Sequence, residues 1–203
     1  KITRTCCVFE VNDLSRSGLP LISLQLEPGE LVCLRGPSGC GKTQLLRALV
    51  DLDCNQGQVR LQGEARENIP PTQWRKRVAL LPAESRWWSA TVAEHFPAGG
   101  IESLAELGFD ADTAGWQVDR LSSGEKQRLA LLRVLANHPD VLLLDEPTAN
   151  LDAENIAHVE DLVRRYLDDT QASCLWVSHD RSQCDRIAAR TLEMNDAGLQ
   201  VSG

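Results

Sequence analysis

Leu31-Val32-Cys33-Leu34-Arg35-Gly36-Pro37-Ser38-Gly39-Cys40-Gly41-Lys42-Thr43 decides the fold of this chain. Four apolar residues end at a glycine-rich loop, which reads as a buried strand running into a turn. Beyond the loop, Thr43 to Leu52 carries Leu45, Leu46, Leu49 and Leu52 at helical spacing. Strand, glycine loop and helix in that order are the setting in which Gly36 to Thr43 matters, because it matches GxxxxGK[ST]. Gly36, Pro37, Ser38, Gly39, Cys40 and Gly41 let backbone N–H groups wrap a phosphate, and the helix N-terminus adds partial positive charge. Lys42 is placed to pair with β- and γ-phosphates, and the Thr43 hydroxyl to ligate Mg²⁺. The site expected from this stretch is therefore one for a nucleotide and Mg²⁺.

Outward from the loop, the same alternation continues. Val78-Ala79-Leu80-Leu81, Val141-Leu142-Leu143-Leu144 and Cys174-Leu175-Trp176-Val177 are further short apolar runs. Between the last two, Ala153 to Leu167 sets Ile156, Val159, Leu162, Val163 and Tyr166 on one helical face. Buried strands alternating with amphipathic helices predict an α/β fold with a mainly parallel sheet covered on both sides. Residues 2 to 30 and 57 to 63 read instead as short strands punctuated by Pro28-Gly29, Gly57 and Gly63, an antiparallel edge sheet. Residues 85 to 138 show no strand, only helix-like stretches split at Pro97-Ala98-Gly99-Gly100 and at Gly108. The expected organisation is one domain over 1–203, with a core from 1–84 and 139–203 and a small helical subdomain over 85–138.

Composition narrows the function classes. The chain has 203 residues, 42% hydrophobic and 25% charged, as in an ordinary globular protein large enough for one core. Its formal net charge of −8 argues against a nucleic-acid groove, since phosphate backbones reward basic surfaces. Arg75-Lys76-Arg77 reads as a solvated face. No apolar run approaches the roughly 18 to 20 residues that span a bilayer, so a membrane role would need another chain. The 7 cysteines (Cys6, Cys7, Cys33, Cys40, Cys54, Cys174 and Cys184) form no CxxC pair, and Cys33 and Cys174 fall where small core residues are expected.

Two more stretches carry chemistry. Asp145-Glu146 follows Val141 to Leu144, which puts two carboxylates at the end of a buried strand, where open α/β sheets bind ligands. Asp145 would hold Mg²⁺ and Glu146 would act as general base on a water; an acidic turn with no chemistry has the same appearance. Leu121-Ser122-Ser123-Gly124-Glu125-Lys126-Gln127-Arg128 opens the apolar helix Leu129 to Ala136. Ser122, Ser123 and Gly124 offer a hydroxyl and N–H groups at another helix N-terminus, and also suit an ordinary helix cap.

In their order, these motifs resemble those of the nucleotide-binding subunits of ABC transporters. The family's LSGGQ signature stands here as LSSGE, with Ser123 and Glu125 as departures. The resemblance implies a P-loop ATPase that dimerises head-to-tail around two ATP, with the Ser122 to Gly124 loop of one copy reaching the γ-phosphate in the other. It also implies a separate permease as partner and a place on the cytoplasmic face of the membrane. Asp152, after Ala149-Asn150-Leu151, matches the loop that contacts the facing subunit. His179, in Trp176-Val177-Ser178-His179-Asp180, matches the switch histidine. His95, His138 and His158 have no such company and are expected to be surface or packing residues.

The departures shape further expectations. Ala83 stands where the family places a glutamine beside Mg²⁺, with Glu84 next. No aromatic residue lies at the usual adenine position, which leaves Arg16 or Phe9 as candidates, Phe9 rather as a strand-core residue. Trp87-Trp88 lies where relatives meet a coupling helix, one ring expected in the core and the other as an exposed anchor. The small ATPase subunits of the bacterial iron-export-like FetA/YbbL type look nearest. Two alternatives are a soluble ABC ATPase outside transport and a cassette that binds ATP in a mainly regulatory role.

Overall fold

A computed structural model describes residues 8–97 and 104–202. Cys6, Cys7 and the Ala98-Gly99-Gly100 break lie outside these residues. The chain runs through β1 (Phe9–Arg16), β2 (Leu19–Leu26), β3 (Leu31–Arg35), α1 (Lys42–Leu49), β4 (Gln56–Leu61), β5 (Glu64–Ala65), α2 (Pro71–Arg77) and β6 (Val78–Leu81). It continues through α3 (Ser123–Leu135), β7 (Val141–Asp145), α4 (Ala153–Thr170), β8 (Ser173–Val177), α5 (Arg181–Ile187), β9 (Arg190–Asn195) and β10 (Gly198–Ser202).

Six strands form one sheet in the order β10-β9-β3-β8-β7-β6. All its pairings are parallel except that of β10 with β9. The order explains why the apolar runs carry no polar alternation: β7 and β8 are buried along their whole length, with a core on each face. Alternate residues serve opposite sides. Val32, Leu34, Val141, Leu143, Leu175 and Val177 enter one core with α1 and the second sheet. Cys33, Leu142, Leu144, Cys174 and Trp176 enter the other with α3 and α4. Register holds the two sets in line, since Val32 pairs with Leu175 and Leu142 with Cys174. Cys33 and Cys174 are fully buried free thiols, as expected, and Cys184 joins them.

The antiparallel sheet expected from the turn-punctuated stretches is present as β2-β1-β4-β5. Phe9 faces inward from it, fully buried, with its ring 6.3 Å from that of Trp74.

Two expectations need correction. The helix after the glycine loop ends at Leu49, not Leu52. Side chains from elsewhere take its last carbonyls: Asn55 and Arg66 donate to Ala48 O, and Trp74 Nε1 to Leu49 O. The chain then leaves the helix through Asp51 at a φ of 59°, and Leu52 is exposed. The segment before α3 is not a set of α-helices. Its described residues make 3-10 turns at Ala93–His95, Leu104–Leu107, Ala111–Gly115 and Val118–Arg120, with a bridge between Thr91 and Gln117. Leu104, Leu107, Phe109 and Leu121 pack into the same core as α3 and α4, so tertiary burial rather than local periodicity orders this stretch.

Candidate nucleotide site

The C-terminal ends of β3, β7 and β8 lie side by side and deliver the glycine loop, Asp145-Glu146 and His179 to one edge of the sheet. From β3 the chain enters the glycine loop. A Cβ on Gly36 would collide with the Met194 carbonyl oxygen, and one on Gly41, at a φ of 102°, with Leu19 Cδ2. Pro37, Ser38 and Gly39 are exposed, and nothing lies within 4 Å of a Cβ built on Gly39. Gly41 caps α1 with no side-chain hydrogen bond, and no acidic residue occupies the first turn. The helix therefore begins with its N–H groups free of any side-chain anion, the arrangement that receives a phosphate. Lys42 is buried and folds its ammonium back into the loop, donating to Gly36 O at 2.8 Å and Pro37 O at 3.0 Å. Its charge thus sits inside the cradle, facing two carbonyls and, at 4.0 Å, the Cys40 sulfur.

From β7 comes Asp145, buried, whose Oδ2 accepts from Thr43 Oγ1 at 2.7 Å. Burial pushes its carboxyl above the usual carboxylate range, against the opposing pull of the Thr43 hydrogen bond. A divalent cation would answer that cost. Among the described residues no group of three or more His, Cys, Asp or Glu is placed to hold a metal. Thr43 and Asp145 supply two oxygens, which fits a hard cation that completes its shell from phosphate and water.

Glu146 adopts a φ of 48°, which turns the chain sharply out of the strand. Its N–H donates to Val177 O at 3.1 Å, tying it to the end of β8. His179, two residues beyond β8, lies half-exposed with Nε2 2.8 Å from Glu146 Oε1. The general-base and switch-histidine positions are thus in direct contact.

The Ser122 to Gly124 turn is arranged differently. Ser122 caps α3, its Oγ accepting from Glu125 N at 3.2 Å. In return Glu125 Oε2 accepts from Ser122 N at 2.8 Å and from Ser122 Oγ at 2.7 Å. These bonds hold the Glu125 carboxyl below its ordinary range. A Cβ on Gly124 would come within 3.0 Å of Leu151 Cδ2, so this turn and the loop before Asp152 are neighbours. Asp152 caps α4, its Oδ1 accepting from Asn155 N at 2.9 Å. Lys42, Thr43, Asp145, Glu146 and His179 converge within the chain; Ser122, Ser123, Gly124 and Asp152 form a second group around the start of α3 and α4.

The remaining expectations divide. Arg16 is held by Asp53, with Nη1 to Oδ2 at 2.6 Å; Arg47 and Arg16 together keep the Asp53 carboxyl down at about 2. Ala83 and Glu84 are both exposed. Gln127, which motif matching passed over inside the Glu125-Lys126-Gln127-Arg128 run, reaches this loop, donating to Pro82 O at 3.1 Å and accepting from Ser85 Oγ at 3.0 Å. Trp87 packs against the core while Trp88 is 71% exposed, the expected split. Arg133 stacks over both rings, at 4.7 and 4.9 Å. His95 is buried between them and packs as expected, its Nε2 accepting from Trp88 N and Ser89 N. Gln183 is a second residue that no motif announced; it lies between the loops that carry Glu146 and His179.

Comparison with known proteins agrees with this geometry. A family model described as ABC transporter matches residues 19–149. An aliphatic sulfonates import ATP-binding protein of Mesorhizobium japonicum is 35% identical over 210 residues, covering 97% of this chain and 81% of that protein. A probable anion import ATP-binding protein of Haloferax volcanii is 36% identical over 200 residues, covering 84% and 69%. These relatives are import subunits and do not confirm the iron-export-like type. Among solved structures, a dimeric ATP-binding cassette in a post-hydrolysis state with ADP and Pi bound superposes with a TM-score of 0.81 at 22% identity, covering 96% of this chain and 97% of its own. A bacterial ABC exporter with ATP bound gives a TM-score of 0.83 at 20% identity, covering 98% and 39%. The strand-loop-helix cradle, the buried acidic strand end and these likenesses converge: this chain belongs to the ABC transporter family and has the fold of its ATP-binding cassette.

Proposed function

We propose that this chain is the ATP-binding and ATP-hydrolysing subunit of an ABC transporter, acting as a head-to-tail dimer around two ATP and driving a separate membrane permease. The observation that carries the reading is the joining of the Thr43–Asp145 pair and the Glu146–His179 pair at one sheet edge, beside the buried Lys42 ammonium. In this reading 1–84 and 139–203 form the nucleotide core, and 85–138 carries the turn that faces the other copy.

Gly36 to Gly41 and the first N–H groups of α1 receive the β- and γ-phosphates, and Lys42 turns from its two carbonyls to their oxygens. Thr43 and Asp145 hold Mg²⁺, which when bound screens phosphate charge and helps orient the oxygens. Glu146 takes a proton from the attacking water. His179 now points its Nε2 at Glu146; as the phosphate enters, it is placed to donate there and leave the carboxylate to the water. Asp152 and the Ser122 to Gly124 turn meet the facing copy. Adenine is left to Arg16 or to apolar contact, and Phe9 is ruled out by its burial.

No helix among the described residues is long and apolar enough to cross a membrane. The proposed location is the cytoplasmic face of the membrane, with the permease supplied by another chain. Trp88 and Arg133 border a groove of about 460 Å³ that also takes in Arg75, Lys76 and Phe96, a local cationic and aromatic surface on an acidic protein. This is where the reading places the permease contact. The relatives' names favour import over export. The test is phosphate release from Mg²⁺·ATP by the purified chain: Glu146→Gln should lower turnover by at least about 100-fold, and unchanged turnover would remove Glu146 as base.

A further inference from the structure

We propose that Gln183 is a positioning residue for hydrolysis, setting the spacing between the loop that carries Glu146 and the loop that carries His179. The inference rests on the ATPase reading above and adds to it a residue outside every motif.

Glu146 and His179 leave different strands; exposed chain follows His179 at once, and follows Glu146 from Ala149 onward. Their mutual contact is the one that must open when phosphate and water arrive, so it cannot by itself hold the two loops in register. Gln183, on α5 and 3% exposed, makes a second connection behind them. Its Oε1 accepts from Ser178 Oγ at 2.8 Å, one residue before His179. Its Nε2 donates to Thr148 Oγ1 at 3.0 Å, two residues after Glu146. The other Nε2 hydrogen goes to Glu160 Oε1 at 2.8 Å. Ser178 Oγ also accepts from Asp180 N at 3.1 Å, so the same hydroxyl fixes the backbone on the far side of His179.

The amide is saturated, and its orientation is set by chemistry. Glu160 is buried and its carboxylate offers only acceptors, so the NH₂ end of Gln183 must face it. Glu160 is itself held by α5 through Arg186, at 3.0 and 2.7 Å. The links to Ser178 and Glu160 are buried and that to Thr148 is half-buried, a setting where an unmade hydrogen bond is costly, so the arrangement resists sliding. Misplacement of a reacting group by a fraction of an ångström slows a step without altering how tightly substrate binds. The hydrogen bonds of Gln183 go to Ser178, Thr148, Glu160 and Asp180 rather than to the glycine loop or Lys42, which predicts an effect on turnover and not on affinity.

The experiment measures kcat and KM for Mg²⁺·ATP hydrolysis, together with equilibrium ATP binding, for the full chain and three variants. Gln183→Glu keeps the shape but sets a carboxylate against Glu160 and removes the donor to Thr148. It should lower kcat by about tenfold while the ATP dissociation constant stays within about twofold. Adding Glu160→Gln exchanges amide and carboxylate across the same gap, with Thr148 and Ser178 donating to the new carboxylate, and should recover kcat to within about threefold of the native value. Thr148→Val removes one end of the link without burying a charge and should lower kcat by about threefold with unchanged affinity. Native kcat in both Gln183→Glu and Thr148→Val would overturn the proposal, as would an equal loss in affinity and kcat. If Gln183→Glu fails to fold, Thr148→Val decides by the same criteria. A native chain that binds ATP but does not hydrolyse it would instead overturn the enzymatic reading itself.

Discussion

Two helices in this protein begin at short turns of small residues, and they begin in opposite electrostatic states. At α1 the cap is Gly41, no side chain closes the first turn, and the buried cation is Lys42. At α3 the cap is Ser122, and the Glu125 carboxylate already accepts from its N–H and its hydroxyl. The same backbone device, a helix N-terminus with unpaired donors, is left open for an external anion in one place and closed by an internal one in the other. A phosphate can enter the first from solution. At the second it meets a carboxylate, so occupancy there needs the help of a partner surface. The difference is what the proposed reading needs: a cassette that binds nucleotide in each chain and completes its site in a dimer.

The largest expected effect on binding tests the open end. Lys42→Ala removes the cation from the cradle and should weaken ATP binding by about 50-fold, the scale of a charge-assisted pair. Equilibrium titration with a fluorescent ATP analogue measures it, and unchanged binding would erase the distinction between the two helix starts. A smaller effect tests the closed end. Glu125→Gln keeps an acceptor for the Ser122 N–H but removes the charge facing the incoming phosphate. The ATP-bound dimer should tighten by about fivefold, the size of a charge at a helix terminus, as read by sedimentation at several protein concentrations. A weaker dimer would mean that the carboxylate assists the contact.

The smallest effect is on stability and concerns Asp145. Its carboxyl is raised by burial, so the folded chain binds this proton more tightly than the unfolded one. Its charged form therefore lowers stability above the raised value, and the loss disappears as pH falls below the ordinary carboxylate range. Asp145→Asn should raise the melting temperature by about 2 °C at pH 8 without nucleotide, with the difference vanishing below about pH 3, while Mg²⁺-dependent turnover is lost. Calorimetry at the two pH values checks the sign.

What was legible in the sequence follows from the same physics. Strands β3, β6, β7 and β8 announced themselves because a parallel strand between two cores has no solvent face to break its apolar run. The glycine loop was legible because its backbone tolerates few alternatives. The end of α1 was not: the groups that stop it, Asn55, Arg66 and Trp74, belong to later elements. Nor were the 3-10 turns before α3, which have no long period and are ordered by Leu104, Leu107 and Phe109 reaching a distant core. Gln127 and Gln183 stayed hidden because a polar bridge is defined by what it joins, and both join segments far apart in the chain. The Ser122 to Gly124 turn was readable as a helix start, but not that Glu125 already fills it.

Whether two copies share the nucleotide is read from the mass of Glu146→Gln in solution, with and without Mg²⁺·ATP, alongside the count of bound nucleotide. A 22.4 kDa monomer is expected without nucleotide and, with ATP, twice that mass carrying two ATP, because in the proposed dimer each open α1 site is completed by the α3 turn of the other copy. A chain that binds one ATP per monomer and stays monomeric at saturating nucleotide would contradict it.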